Sequence, residues 1–208
     1  MQGERGPERD LTGAVLAGGS SRRMGGNKLA IPVDGVPLVE RALEAVAAVA
    51  TDVLLVRRPG RPIEGVAPVG RAAAREIVDT VDGAGPLAGI HAALQAARHD
   101  LVLVVGGDMP FLSPAVLRHL AARAREAVDA DAVALGDGSR PQPLLAVYRR
   151  RSLAVVEQML ESRALRLSDL LAQLALVVVE PAEWATLDPT GRTPLNLNRP
   201  ADVAALKR

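Results

Sequence analysis

The 208-residue sequence has no cysteine, only three aromatic residues and almost no net charge. Without cysteine there is no disulfide, no thiolate metal site and no cysteine nucleophile, and nothing favours an oxidising compartment. Phe111, Tyr148 and Trp184 are too few to form a platform that stacks single-stranded bases. A formal charge of +1 is too small to hold a polyanion by counterion release. We therefore expect a cytoplasmic protein that does not bind nucleic acid.

The sequence also lacks a long apolar segment. No run approaches the roughly 18 residues that cross a bilayer, and the charged N-terminus has no apolar stretch typical of a signal peptide. We expect neither secretion nor membrane insertion. Apolar residues make up 49% of the chain and charged residues 24%, which is typical of globular proteins. The length favours one folded domain, predicted over residues 12–208, after a flexible N-terminal segment of residues 1–11.

Apolar β-branched segments alternate with alanine- and leucine-rich segments of helical period, a pattern typical of a parallel sheet covered by helices. The predicted strands are residues 12–16, 52–56, 76–78, 101–105, 132–135, 144–148 and 176–180. The predicted helices are residues 38–50, 86–98, 113–127, 152–162, 167–173 and 200–206. Residues 57–75, rich in Pro, Gly and Arg, are predicted to be a connection within the domain. Together these elements predict a single three-layer α/β/α domain with a mostly parallel twisted sheet and Rossmann-like topology.

A glycine-rich loop, LAGGSSRRMGGNK over residues 16–28, follows the first predicted strand. Glycines let backbone amides approach phosphate oxygens, and Arg23 and Lys28 supply positive charge. Lys28 is one of only two lysines among 25 basic residues, in a chain that otherwise uses arginine. The predicted nucleotide-binding backbone positions are Leu16, Ala17, Gly18 and Gly19.

Two familiar phosphate-binding patterns do not match this loop. A Walker A loop places lysine directly after glycine, whereas Asn27 separates Gly26 from Lys28. The dinucleotide pattern GxGxxG is absent as well. The alternative to phosphate binding is a surface turn with solvated arginines, which the position directly after an apolar strand disfavours.

Carboxylates follow two further predicted strands, at the sheet edge where ligands of open parallel sheets bind. Asp108 follows a buried strand and suits Mg²⁺, which takes one or two protein carboxylates and fills its other positions with phosphate oxygens and water. Asp79 and Asp82 precede a helix that opens at Gly85 and Pro86, whose N-terminus offers amide donors to a base or ribose. The alternative for each aspartate is a turn residue that caps its own backbone.

Five separated motifs then carry a resemblance to a known family. The glycine loop is similar to that of the pyrophosphorylase-like nucleotidyltransferases and, among them, most resembles the molybdenum cofactor guanylyltransferases. Four further motifs match in order: GPLAGIHAAL from Gly85, VVGGDMPFLSP from Val104, RPQPLLAVYRR from Arg140 and TPLNLNRPADV from Thr193. The resemblance covers about residues 12–206.

On the nucleotide side, the resemblance implies that Asp108 is the magnesium ligand and that an aspartate before GPLAG contacts the nucleoside. Asp79 fits this role, and Asp82 remains an alternative because the spacing to Gly85 is approximate. Asn27 departs from the family, since many relatives carry aspartate at that position. No base-contacting residue can be named between residues 57 and 75.

On the acceptor side, the resemblance implies that Gln142, Asn196 and Asn198 contact the acceptor and that Asn198 is a second metal ligand. Asn198 and Gln142 each have a plainer alternative. Asn198 sits where a helix N-cap is expected, and Gln142 lies in a loop before a core strand.

The implied reaction transfers GMP from GTP to Mo-molybdopterin, with Mg²⁺ as cofactor and with Arg23, Lys28 and Asp108 as catalytic residues. In the resembling families LAGG goes with guanine and LAAG with cytosine, so the Gly18–Gly19 pair favours guanylyl over cytidylyl transfer. The resemblance also implies transient contact with other molybdenum cofactor proteins. A catalytically idle nucleotide-binding protein is the alternative of another class, and the presence of Lys28 and Asp108 disfavours it.

Overall fold

The computed structural model describes residues 8–18, 28–59, 74–79 and 81–197, which form a mostly parallel sheet between two layers of helices. The strands are β1 (Glu8–Leu16), β2 (Pro32–Val33), β3 (Val36–Pro37), β4 (Ala50–Arg57), β5 (Arg75–Val78), β6 (Leu101–Gly106), β7 (Ala132–Gly136), β8 (Pro141–Arg149) and β9 (Leu176–Val179). The helices are α1 (Leu38–Ala47), α2 (Pro86–Ala96), α3 (Pro114–Glu126), α4 (Leu153–Glu161), α5 (Leu167–Gln173) and α6 (Pro181–Trp184). The predicted three-layer α/β/α fold is confirmed.

The central sheet has seven strands in the order β5-β4-β1-β6-β8-β7-β9. All neighbouring pairs are parallel except those of β8, which runs antiparallel to β6 and to β7. The carboxyl ends of six strands and the beginning of β8 therefore lie at one edge of the sheet. That edge is where ligands of such sheets bind.

Each face of the sheet buries its own apolar core, because successive strand residues point to opposite faces. Leu11 and Val15 of β1 join the core under α1 and α3. Ala14 and Leu16 join the core under α2, α4 and α5. Strand β6 is buried along its whole length, which explains its unbroken apolar sequence.

All seven predicted strands are present, with ends displaced by up to four residues. Strand β1 begins at Glu8, not at residue 12: Glu8 pairs with Ala50 across a register shift, and Leu11 is fully buried. Residues 8–11 of the predicted flexible segment are therefore part of the sheet. The last predicted strand stops at Val179 because Glu180 becomes the N-cap of α6, with a capping box to Glu183.

Five of the six predicted helices are present, four of them shorter than predicted and α5 with the predicted bounds, and the sixth, residues 200–206, lies outside the described residues. Helix α1 stops at Ala47 because the chain must turn before Ala50 starts β4. Within the described ranges, no helix has the length and apolar character needed to cross a bilayer.

Sequence analysis missed the small hairpin of β2 and β3 and the helix α6. Asp34 and Gly35 form the hairpin turn with positive φ angles of 50° and 80°. Positive φ at both central positions is the requirement of a two-residue type I′ turn, which Asp-Gly satisfies.

Gly13 lets α1 approach β1 closely. A Cβ atom at Gly13 would lie 2.2 Å from Val46 Cγ1 and 3.1 Å from Ala50 Cβ. We expect Gly13→Ala to lower the free energy of unfolding by about 1–3 kcal/mol, because the β-branched Val46 side chain has little room to rotate away. Urea denaturation measures this loss. The double variant Gly13→Ala/Val46→Ala should be more stable than the sum of the single effects predicts; strict additivity would contradict the contact.

Candidate active site

Backbone hydrogen bonds join the ends of four neighbouring strands at the carboxyl edge of the sheet. The Ala17 amide donates to the Val56 carbonyl at 2.7 Å, and the Gly107 amide donates to the Leu16 carbonyl at 3.0 Å. Next to β4, the Asp79 amide donates to the Arg57 carbonyl at 2.9 Å. These bonds hold the start of the glycine loop between the residues that follow β4, β5 and β6. The residues that directly follow β1, β5 and β6 thus lie together, as the strand pattern predicts.

Lys28 and Asp108 form an ion pair at this edge. Lys28 Nζ lies 2.8 Å from Asp108 Oδ2, with the side chains 12% and 26% exposed. Lys28 begins a short 3-10 turn directly after the glycine loop, and Asp108 follows β6. A Cβ atom at Gly106 would lie 2.8 Å from the other carboxylate oxygen, Asp108 Oδ1. A larger residue at position 106 would therefore displace the carboxylate. Two of the three predicted catalytic side chains, Lys28 and Asp108, are therefore in direct contact.

The donor set around Asp108 fits Mg²⁺. Among the described residues there is no cluster of three or more His, Asp or Glu side chains that would hold a metal entirely by protein ligands. Mg²⁺ does not need such a cluster, since one or two carboxylates with phosphate oxygens and water complete its octahedron. Asp108 meets that requirement. Its predicted second ligand, Asn198, lies outside the described residues, as do Gly19 and Arg23 of the loop.

Asp79 is the better placed of the two alternative nucleoside contacts. It directly follows β5 and is only 5% exposed, whereas Asp82 lies in the exposed turn that follows. Burial raises the pKa of the Asp79 carboxyl above its usual value, and the nearby Arg58 charge opposes that shift. A desolvated carboxylate of this kind favours a ligand that donates hydrogen bonds to it.

Arg58 connects Asp79 to the glycine loop. A Cβ at Gly18 would lie 3.3 Å from Arg58 Cγ and 3.6 Å from its Nε, so the arginine side chain passes over Gly18. Arg58 is half-buried and its charge acts on Asp79. Arg58 lies between residues 57 and 75, where sequence analysis identified no residue that contacts the base. No sequence pattern in that segment distinguishes one arginine from another.

Helix α2 starts at the same edge, as the sequence predicted. Gly85 is its N-cap with φ of 62°, a conformation that favours glycine, and Pro86 is its first residue. The Leu16 side chain packs against this helix, since a Cβ at Gly89 would come within 3.0 Å of Leu16 Cδ1. Leu16 therefore contributes its backbone to the edge and its side chain to the core.

The antiparallel strand β8 brings Gln142 to the edge that carries Asp108. Val105 pairs with Leu145, so the residues before Leu145 extend past the end of β6. The Gln142 side chain is held there, because its Nε2 donates to Asp137. Hydrogen bonds from Ser139, Arg140 and Gln142 lower the pKa of Asp137 to about 2, with the Ser139 bonds contributing most.

The segment before the two predicted asparagines is anchored beside β6. The buried Asp188 carboxylate accepts hydrogen bonds from the Thr193 amide and hydroxyl at 2.8 and 2.7 Å. The Thr193 hydroxyl in turn accepts from the Ser113 amide at 3.3 Å. Further along, the Leu197 amide donates to the Asp108 carbonyl at 3.0 Å. Asn196 is exposed next to this bond, and the chain continues directly into Asn198.

Asp188 should stabilise the fold in a pH-dependent manner. Burial alone would raise its pKa, but hydrogen bonds from Thr190 and Thr193 outweigh burial and lower it below the usual value. We expect Asp188→Asn to cost about 1–3 kcal/mol of unfolding free energy at neutral pH. Because the folded-state pKa is depressed, this contribution is present above the unfolded-state pKa of about 3.9 and is lost as pH falls below it. Urea denaturation of both proteins from pH 7 to pH 3 measures the difference; a gap that stays constant would contradict the assignment.

Asp188 was missed by sequence analysis although its sequence carried a signal. The segment DPTG from Asp188 is typical of an aspartate that caps a following turn, which is what its bonds to Thr190 form. A turn signal alone does not show which remote segment the turn contacts. The link from Thr193 to Ser113 depends on the tertiary fold.

Comparisons with known proteins identify the family to which this architecture belongs. The family model described as "MobA-like NTP transferase domain" matches residues 13–177. A "Probable molybdenum cofactor guanylyltransferase" of Chloroflexus aggregans is 34% identical over 199 residues, covering 93% of this chain and 91% of the relative. A relative of the same name from Carboxydothermus hydrogenoformans is 31% identical, covering 95% of each chain.

A solved structure agrees with the sequence relatives. The crystal structure of "Molybdopterin-guanine dinucleotide biosynthesis protein A" from Archaeoglobus fulgidus superposes with a TM-score of 0.79 at 29% identity, covering 94% of this chain and 96% of that one. The predicted resemblance is confirmed by the family model, the relatives and this structure. The chain belongs to the MobA-like NTP transferase family.

Proposed function

We propose that the protein transfers GMP from GTP to the terminal phosphate of Mo-molybdopterin and releases pyrophosphate. An acceptor phosphate oxygen forms a bond to the α-phosphorus, the bond from that phosphorus to the β-phosphate oxygen breaks, and pyrophosphate leaves with the electron pair. The observation that carries the proposal is the Lys28–Asp108 ion pair at the end of the glycine loop, within a chain similar to guanylyltransferases over nearly its whole length.

In this proposal the glycine loop binds the triphosphate. The backbone of Leu16 to Gly19 approaches the phosphates, and the Arg23 and Lys28 side chains neutralise their charge. Asp108 would hold Mg²⁺, which when bound stabilises negative charge on the phosphates and orients the leaving group. Lys28 lies beside that carboxylate, so its ammonium would face the same phosphates. Positioning and charge neutralisation dominate catalysis of this type.

Asp79 would bind the guanine base by accepting hydrogen bonds from it. Guanine presents two adjacent N–H donors, at N1 and at its exocyclic amine, and a carboxylate accepts two parallel hydrogen bonds. The N-terminus of α2, which begins after Gly85, adds backbone N–H donors near the ribose, although Pro86 itself carries none. Arg58 keeps a positive charge close to Asp79, which favours the ionised carboxylate that this reading needs.

The acceptor would enter on the opposite side of Asp108, along Gln142, Asn196 and Asn198. Gln142 lies at the start of β8, and Asn196 is next to the bond that joins Leu197 to Asp108. With Asn198 as second metal ligand, this segment would connect the acceptor to the metal. The nucleophile is an ionised phosphate, so no protein side chain has to remove a proton.

A screen of the four nucleoside triphosphates tests the proposal. With Mo-molybdopterin as acceptor, pyrophosphate release should be fastest with GTP. CTP and ATP should be slower by a factor corresponding to about 1–3 kcal/mol, because each leaves a polar contact at Asp79 unmade. Reactions without acceptor are the control and should release little pyrophosphate. Equal or faster turnover with CTP would contradict this assignment and favour a cytidylyltransferase acting on the same pterin.

The proposed function also implies a cellular location and protein partners. A chain without cysteine and with these substrates is expected to work in the cytoplasm. Transient contact with other molybdenum cofactor proteins would deliver its acceptor and remove its product, since a reactive cofactor is better transferred than released.

A further inference from the structure

A cation–π pair formed by Arg192 and Phe111 lies next to the candidate active site. The Arg192 guanidinium carbon is 3.5 Å from the centre of the Phe111 ring. Within the ranges that the structure describes, no carboxylate pairs with Arg192. Other arginines of the chain bind aspartates in ion pairs, as Arg75, Arg125 and Arg149 do. The Arg192 charge is therefore fixed by a ring and is not neutralised by a described side chain.

The pair is close to Asp108. Phe111 is three residues after Asp108, so their Cα atoms are at most about 11 Å apart. The Phe111 ring packs against the small apolar cluster of Val33, Leu38 and Leu197. Leu197 is the residue whose amide bonds to the Asp108 carbonyl. The ring that supports Arg192 thus shares its packing with the backbone that surrounds Asp108.

Arg192 lies in the segment that leads to Asn196, one of the residues proposed to contact the acceptor. The proposed nucleotide contacts follow β1 and β5, which lie on one side of β6 in the sheet. Arg192 belongs to the segment after β9, a strand on the other side, and this segment is anchored along the loop after β6 by Asp188 and Thr193. Asp108 lies between these two groups of residues.

We propose that Arg192, held on the Phe111 ring, binds the terminal phosphate of the acceptor, a role that rests on the proposed guanylyl transfer. A phosphate monoester that approaches a triphosphate meets strong repulsion between like charges. A guanidinium presents a planar set of donors that matches phosphate oxygens, and an aromatic ring fixes its plane. Because Arg192 is positioned in advance, less side-chain freedom is lost when the phosphate binds.

The test compares Arg192→Gln with the wild-type enzyme in guanylyl transfer. We expect the KM for Mo-molybdopterin to rise about 10-fold or more, because a charge-assisted contact to phosphate is lost. The KM for GTP should stay within about twofold, since the triphosphate contacts lie on the other side of Asp108. Arg192→Lys keeps the charge but loses the planar fork, so it should give an intermediate KM for the acceptor.

Arg150→Gln is the matched control. Arg150 is exposed in the turn after β8, at the opposite edge of the sheet, so the substitution removes one positive charge far from the site. It should leave both KM values unchanged. An acceptor KM that does not change in Arg192→Gln overturns the proposal. A KM for GTP that rises instead assigns the guanidinium to the triphosphate and also overturns it.

Equilibrium binding separates this inference from the proposed function. Quenching of molybdopterin fluorescence reports acceptor binding without turnover, and Arg192→Gln should weaken that binding by a similar factor. If the wild-type protein binds molybdopterin more tightly than Arg192→Gln but makes no dinucleotide, the transfer reaction is refuted and the acceptor site at Arg192 is supported. Wild-type and Arg192→Gln proteins with equal affinity would refute the site, whatever the enzyme transfers. A melting temperature that falls together with both affinities would indicate a structural role and overturn the proposal.

Discussion

Asp108→Asn should reduce guanylyl transfer by about one to three orders of magnitude while the protein remains folded. Asparagine keeps the size of the side chain and one oxygen but removes the negative charge that anchors a hard cation. Activity should recover partly at high Mg²⁺ concentration, because weaker binding is compensated by mass action. The side chains of the ion pair with Lys28 are mostly buried, so its loss should cost about 1–3 kcal/mol of stability.

Asp100→Asn is the control for this variant. Asp100 immediately precedes β6 and Asp108 follows it, so the same substitution is made at the two ends of one strand. Asp100 is exposed and pairs with Arg149 at the edge away from the site. Asp100→Asn should keep normal activity and a normal Mg²⁺ requirement. Full activity of the wild-type enzyme in EDTA, or an unimpaired Asp108→Asn enzyme, would contradict metal-assisted transfer.

Lys28→Ala should lose most of its activity, by an amount similar to Asp108→Asn. The substitution removes the ammonium proposed to contact the triphosphate and also leaves the Asp108 charge less compensated toward the anionic substrate. The melting temperature should fall by no more than about 10 °C, since a mostly buried ion pair contributes about 1–3 kcal/mol. Steady-state turnover and thermal denaturation of the same preparation measure both effects.

The contact between Lys28 and Asp108 leads to an expectation for the double variant. Groups that touch and act on the same phosphates give non-additive effects. The double variant Lys28→Ala/Asp108→Asn should therefore be only slightly slower than the slower single variant. Lys28→Arg, which keeps a charge, should retain part of the activity. Near-normal turnover of Lys28→Ala would show that the charge is not used, and a failure to fold would assign Lys28 to structure.

The sequence was sufficient for the parts of the fold that have a regular period. Strand β6 was predicted from its unbroken apolar run, and helix α3 from its apolar period. The carboxyl ends of such strands meet because parallel neighbours share a direction, so the positions of Asp79 and Asp108 at one edge followed from the strand pattern. Order along the sheet did not follow, since it depends on long-range pairing.

The parts that sequence analysis missed depend on contacts between distant segments or on short turns. The β2–β3 hairpin had a readable Asp-Gly turn, but its strands are only two residues each. Arg58 gains its role from lying over Gly18, about forty positions earlier in the chain. The ion pair of Lys28 with Asp108 joins residues 80 positions apart. The residue types and their positions in the sequence predicted a role for Lys28 and for Asp108 separately. Only the fold shows that the two side chains are in contact.

Transfer of label from GTP tests the central claim most directly. With GTP labelled at the α-phosphate, the label should appear in the molybdopterin dinucleotide. With GTP labelled at the γ-phosphate, it should appear only in pyrophosphate, in an amount equal to the dinucleotide formed. Both products should form about 10- to 1000-fold more slowly in Asp108→Asn. Transfer of the γ-label to the acceptor, or release of pyrophosphate without a dinucleotide, would contradict guanylyl transfer by this chain.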